Sequence, residues 1–220
     1  MQRIGNNMQN NEDILKELRD VTKNRQSWKS NIDNVAEKLG EEHSVPVNAK
    51  ALWLLGEMGL KHPKKIERHV EDIASYMKDE NPKLRERSVN AVGRIGRGDE
   101  KLIMPHLNML MKMRHDECEN VRHAFLWACE NIASTAPELF CENLDIFYEM
   151  IGDSSEKVRI EAPEMFRVIG KRRPEYVKAY LTELEWISKN DENPIVRIHS
   201  EGAVRITEKT IKKIKRGNRY

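Results

Sequence analysis

The residues of this chain best equipped for chemistry are seven histidines, three cysteines and four tryptophans. No histidine is directly followed by Glu, so the chain offers no adjacent His-Glu pair as metal ligands. Here the residues that follow are Ser44, Pro63, Val70, Leu107, Asp116, Ala124 and Ser200. No HExxH run and no His/Cys cluster at zinc spacing occurs. Cys118, Cys129 and Cys141 lack CxxC spacing and are odd in number, which reads as reduced thiols in a cytoplasmic protein. There is no P-loop, GxGxxG or GxSxG element, and the glycines of GRIGRG (93–98) follow a helical pattern, where they read as a helix stop. Tryptophans grouped with a carboxylate could serve chemistry on an extruded nucleotide, whose base stacks between aromatic side chains. Trp28, Trp53, Trp127 and Trp186 show no such grouping. The expectation is a non-enzymatic protein with no cofactor and no metal.

What the tryptophans offer is binding, and the elements that would position them follow from a repeat. The segments beginning SVPVNAK, NPKLRER, CENVRHA, SEKVRIE and NPIVRIH align on the apolar anchors Val47, Leu84, Val121, Val158 and Val196, spaced 37, 37, 37 and 38 residues apart. Small or apolar residues recur four past the anchor (Ala51, Ser88, Phe125, Ala162, Ser200) and eight past it (Leu55, Val92, Cys129, Phe166, Val204). Eleven past it come Met58, Ile95, Ile132 and Ile169. Offsets of 0, 4, 8 and 11 share one face of a 3.6-residue helix. Twelve past, Gly59, Gly96, Ala133 and Gly170 read as C-caps.

A first helix precedes each of these. Its stripes read Trp28, Ile32, Val35, Leu39; Ile66, Val70, Ile73, Met77; Ile103, Leu107, Leu110; Phe140, Leu144, Phe147, Ile151; and Val177, Leu181, Leu184, Ser188 with Ile187 alongside. Pro63, Pro137 and Pro174 stand where three of them start, a position that tolerates a missing N–H. Neither helix can bury its stripe alone, so neighbouring pairs must stack.

Four of the units also carry an Asp six residues before an Arg that directly follows the anchor: Asp79/Arg85, Asp116/Arg122, Asp153/Arg159 and Asp191/Arg197. This motif resembles the HEAT repeat of the armadillo-type α-solenoids, over roughly residues 25–210. The first unit departs from it, with Glu42 and Asn48 at those positions. The resemblance implies an all-α, right-handed α-solenoid of about five HEAT-like helix pairs with an N-terminal capping helix. It also implies that the Asp and Arg residues form a structural ladder between repeats and that the second helices line the concave face. The domain reading is 1–24 for the N-terminal tail and capping helix, 25–210 for the repeats, and 211–220 for a basic C-terminal tail.

Six past the anchor, in an outward register of the second helix, stand Trp53, Asn90 and Trp127. Tryptophan is enriched at binding hot spots, yet large aromatics are more often mostly buried, so each indole is either an anchor for a partner or packing against a neighbour. The candidate partner-binding ridge is Trp53, Asn90, Arg94, Trp127 and Arg167, a mixed-charge surface that suits a protein or peptide. His123 and His199 read as exposed polar positions.

Charge supplies a rival. The balance of 38 Lys+Arg against 36 Asp+Glu is too even for a dedicated nucleic-acid binder. It is uneven along the chain, however. Lys209, Lys212, Lys213, Lys215, Arg216 and Arg219 face only Glu208 after residue 207. Lys171, Arg172 and Arg173 sit at a turn between repeats. The second expectation is therefore a nucleic-acid-binding, DNA-repair-related HEAT-like protein whose contacts would be Lys171, Arg172, Arg173, Lys212, Lys213 and Arg216. The most apolar stretch, 51–60, contains Glu57 and is far too short to span a bilayer, and residues 1–11 hold no apolar run.

Overall fold

A computed structural model describes residues 2–217, with side chains described for 11–216. Its contacts gather into two compact units, Met1–Ala128 and Cys129–Tyr220. All described secondary structure is helical.

The first unit begins with α1 (Gln2–Lys23), whose Ile14 and Leu18 are buried as it packs on the helices that follow. Next come α2 (Trp28–Ala36) and α3 (Val45–Lys61). The second repeat opens with α4 (Pro63–Ile66) and α5 (Val70–Ser75), separated by a 3₁₀ turn over Glu67–His69, and continues into α6 (Pro82–Gly98). The third has α7 (Leu107–Lys112) between two 3₁₀ turns, then α8 (Glu119–Ala133), which carries the chain into the second unit. That unit holds α9 (Leu144–Met150), α10 (Glu156–Gly170), α11 (Pro174–Val177), α12 (Leu181–Asn190) and α13 (Pro194–Gly217). The described part of the basic 211–220 segment is thus the end of α13, and Arg219 lies outside the described residues.

The repeat registers account for the core. All five anchors are buried, as are Ala51, Ser88, Phe125, Ala162 and Ser200 four residues on. Met58, Ile95, Ile132 and Ile169 are fully buried, and Thr207 takes that register in the last helix. Buried hydroxyls there are costly unless bonded. Ser88 donates to the Ile73 carbonyl at 2.6 Å and Thr207 to that of Ala203 at 2.8 Å. Four first-helix positions differ from expectation: Leu39, beyond the end of α2, is only half-buried, as are Leu107 and Leu181, and Ile187 rather than Ser188 closes the fifth stripe.

Four of the five second helices start by the same device. The Oδ1 atoms of Asp79, Asp116, Asp153 and Asp191 accept the backbone N–H two residues on, at 2.7–2.9 Å. Six residues later, Nη1 of Arg85, Arg122, Arg159 and Arg197 donates back to two carbonyls of that turn, at 2.5–3.2 Å. These groups would otherwise be orphans at helix ends. Between repeats, Arg85 grips Asp116 through Nε–Oδ2 at 2.7 Å and Nη2–Oδ1 at 2.9 Å, both side chains about nine-tenths buried. Arg159 reaches forward to Glu192 at 3.9 Å. In the first unit Asn48 does the work of the arginine. Its amide bonds Gly40 on both backbone groups, at 3.0 and 2.9 Å, and Oδ1 also accepts from the Tyr76 hydroxyl at 3.1 Å.

Gly59 and Gly96 are not helix stops, whereas Ala133 and Gly170 are the last residues of α8 and α10. No described glycine has a positive φ. Gly59 and Gly96 lie inside α3 and α6, and all three glycines of GRIGRG belong to α6. Their role is close approach: a Cβ on Gly56 would stand 2.7 Å from the Ala91 Cα, and one on Gly93 would stand 2.5 Å from the Ala128 Cα. Backbone meets backbone at these points, so α3, α6 and α8 are held shoulder to shoulder.

Candidate functional site

That close spacing brings the outward residues of three second helices onto one cleft in the first unit. Trp53 and Glu57 from α3, Glu86, Asn90 and Arg94 from α6, and His123 and Trp127 from α8 line a cavity of about 320 Å³. Each indole is half-buried, with its base packed and one side open to the cleft. Trp53 and Trp127 are therefore neither pure core nor free surface.

Cations already lie against both rings. Lys50 Nζ sits 4.1 Å from the Trp53 ring centre and Arg94 Cζ sits 4.5 Å from that of Trp127, the range of a cation–π contact. Arg94 Nε is also 2.8 Å from Glu57 Oε1, an ion pair whose N–H is not aimed along the contact. Asn90, between the indoles, is half-buried, and its amide makes no hydrogen bond among the described residues. An amide offers donors and an acceptor together, which is what a peptide main chain needs. His123, expected to be exposed, is half-buried at the rim.

A second cavity of about 320 Å³ adjoins this one through Trp53 and Arg87, and its other lining residues are Pro46, Ala49, Lys50 and Lys83. Lys50 and Arg87 were not singled out by the sequence argument. Both stand three past their anchors, a register held by Ala124 and Glu161 in the next two repeats.

Arg167, the last member of the expected ridge, belongs to the second unit and is not a lining residue of the tryptophan cleft. It is exposed and paired with Glu164. Beside it Glu130 is largely buried and its carboxyl is pushed up to about 10, first by burial and then by the charges of Glu161 and Glu164, so it is protonated at neutral pH. Its Oε1 has no hydrogen-bond partner. His199, also half-buried, contacts the Ile160 carbonyl through Nδ1 at 2.8 Å and lies 3.6 Å from Glu164.

The candidate nucleic-acid contacts are distributed differently. Lys171 and Arg172 are exposed after α10, while Arg173 pairs with Glu175 at 2.7 Å and lies over Tyr176. Lys212, Lys213 and Arg216 line a shallow groove along α13, with Lys212 3.4 Å from Glu208. Among the described residues no group of three or more His, Cys, Asp or Glu is placed to hold a metal ion. No helix of the described residues is long and apolar enough to cross a membrane.

Stacked helix pairs in this arrangement define the armadillo/HEAT type of all-α solenoid. Solved structures bear this out. A designed armadillo repeat protein in complex with the peptide (KR)4 is similar over 90% of both chains, with a TM-score of 0.67 and 19% identity. An engineered protein matches 90% of this chain and 97% of its own, with a TM-score of 0.62 and 15% identity. A computationally designed armadillo repeat protein for modular peptide recognition matches 89% of this chain and 99% of its own, with a TM-score of 0.56 and 16% identity. No protein-family model matches the sequence, and no curated protein does.

Proposed function

We propose that the protein is a non-enzymatic repeat scaffold that binds an extended segment of a protein partner across α3, α6 and α8. The observation that carries this reading is the convergence of two half-open indoles and an unpartnered amide on one cleft. Indoles supply apolar contact area at small entropic cost. Asn90 supplies hydrogen bonds to a main chain, the group every peptide has. That two neighbours of the same fold are a peptide complex and a protein designed for peptide recognition supports the reading.

The nucleic-acid reading draws no support from these neighbours, and the basic residues it names are partly engaged by Glu175 and Glu208.

The test is a selection of peptides from a random library on the wild-type chain, followed by affinity measurements on Trp53→Ala, Trp127→Ala and Asn90→Ala. A hot-spot tryptophan contributes about 2 kcal/mol or more, so each tryptophan substitution should weaken binding by roughly 30-fold, and loss of the Asn90 hydrogen bonds, worth about 1 kcal/mol, by roughly fivefold. Asn90→Ala breaks no side-chain hydrogen bond among the described residues, so it separates binding from folding better than the tryptophan variants do. Selected peptides that bind all three variants as tightly as wild type would dismiss the site.

A further inference from the structure

The cavity beside the tryptophan cleft differs from it in charge. Its lining contains Lys50, Lys83 and Arg87 and no acid. The Lys83 ammonium is held by Glu86 at 2.9 and 3.1 Å, and the same carboxylate is 4.0 Å from Arg87. One acid thus serves two bases. Lys50 has no acidic partner among the described residues, and neither does Arg19 of α1, which adds its field to the same spot. Burial first, then the positive charges of Arg19 and Arg87, push the Lys50 ammonium below its usual value. A cation kept on Trp53, half-buried and surrounded by like charge, is a cost to the folded chain that an anion would relieve.

We propose that this cavity receives a carboxylate side chain of the bound segment between Lys50 and Arg87, so that the partner is an acidic peptide. The inference rests on the peptide-binding reading above and gives the segment its chemistry. The neighbouring cleft argues for one isolated acid over a polyanion. One step along the wall stand Glu57 and Glu86, which would repel a second phosphate of a nucleic-acid backbone. An uncharged or apolar side chain fits there, against the open sides of Trp53 and Trp127. A cationic segment would instead meet Lys50 and Arg87 with like charge.

The experiment is a titration of the full chain with terminally blocked (Glu-Ala)4, (Gln-Ala)4 and (Lys-Ala)4 peptides and a twelve-nucleotide single strand. The readout is the indole N–H resonances of Trp53 and Trp127. (Glu-Ala)4 should move the Trp53 signal and bind at least about tenfold tighter than (Gln-Ala)4, as expected of a charge-assisted contact. The preference should vanish in Lys50→Gln/Arg87→Gln and persist in Lys50→Arg, which keeps the charge. Equal binding of (Gln-Ala)4 or (Lys-Ala)4, with both indoles responding, overturns the acidic partner and leaves the peptide site standing. A glutamate preference that survives in the double variant also overturns it, as does tighter binding of the oligonucleotide through Lys50 and Arg87. If no peptide of any charge moves either indole, the peptide site itself fails and the inference goes with it.

Discussion

Replacing Glu130 by Gln should stabilise the protein, and by an amount that grows with pH. In the folded chain the carboxyl titrates at about 10 because it is buried against Glu161 and Glu164. Unfolded, it returns to the ordinary value of 4.5. Between these values the folded state holds a proton that the unfolded state has released, so rising pH favours unfolding. Each pH unit above 4.5 costs about 1.4 kcal/mol, on the order of 3 kcal/mol at pH 7. Gln is neutral throughout and keeps an N–H donor towards Glu161, so it should escape that cost. At roughly 2–4 °C per kcal/mol for a chain of this size, the variant should melt about 6–12 °C higher at pH 7. The gap should close near pH 4.5 and widen towards pH 9. Calorimetric melting of both proteins from pH 4.5 to 9 reads this directly. A variant no more stable than wild type at pH 8, or a gap that does not change with pH, would refute the buried, protonated carboxyl.

Other expectations are simpler. Arg85→Ala leaves Asp116 buried without its bidentate partner and should cost about 3–5 kcal/mol, read as a lower denaturation midpoint with an unchanged slope. Gly93→Val forces a side chain into the Ala128 backbone and should cost about 1–3 kcal/mol, whereas Gly152→Ala, whose Cβ would meet only the Glu149 carbonyl at 3.4 Å, should be close to neutral in the same melt. Among the thiols, half-exposed Cys118 should react first with a thiol reagent. Cys129, fully buried with its pKa raised by that burial, should stay unmodified until the chain unfolds, and mass mapping of the labelled sites checks the order.

The helix pairs were legible because a 37-residue period leaves its mark at every anchor, and burial follows that period through Val47, Leu84, Val121, Val158 and Val196. The glycines were not. Gly59 falls where a C-cap would, but what requires it is the next helix, whose Ile95 side chain would stand 2.5 Å from an added Cβ, and periodicity along one helix does not show how closely its neighbour approaches. The same blindness hid the breaks in the first helices, where stripes compatible with one continuous helix are cut by 3₁₀ turns at Glu67–His69 and Lys178–Tyr180. The tryptophan register pointed to the cleft, because residues six past each anchor face the same way on adjacent helices. Lys50 and Arg87 escaped notice since three past the anchor holds Ala124 in the third repeat, so no charge pattern repeats there. Glu130 reads from sequence as one more charged outward residue. Burial, and then crowding by Glu161 and Glu164 from α10, gives it an unusual titration.

On the proposed function, a peptide segment lies across Trp53, Asn90 and Trp127. The most direct measurement takes the tightest peptide from the random library and records the indole N–H signals of all four tryptophans as it is added. Trp53 and Trp127 should shift together and saturate at one affinity, while Trp28, buried under α1, and Trp186, 64% exposed on α12, stay still. Movement of Trp186 alone, or saturation that leaves Trp53 and Trp127 unchanged, would contradict it.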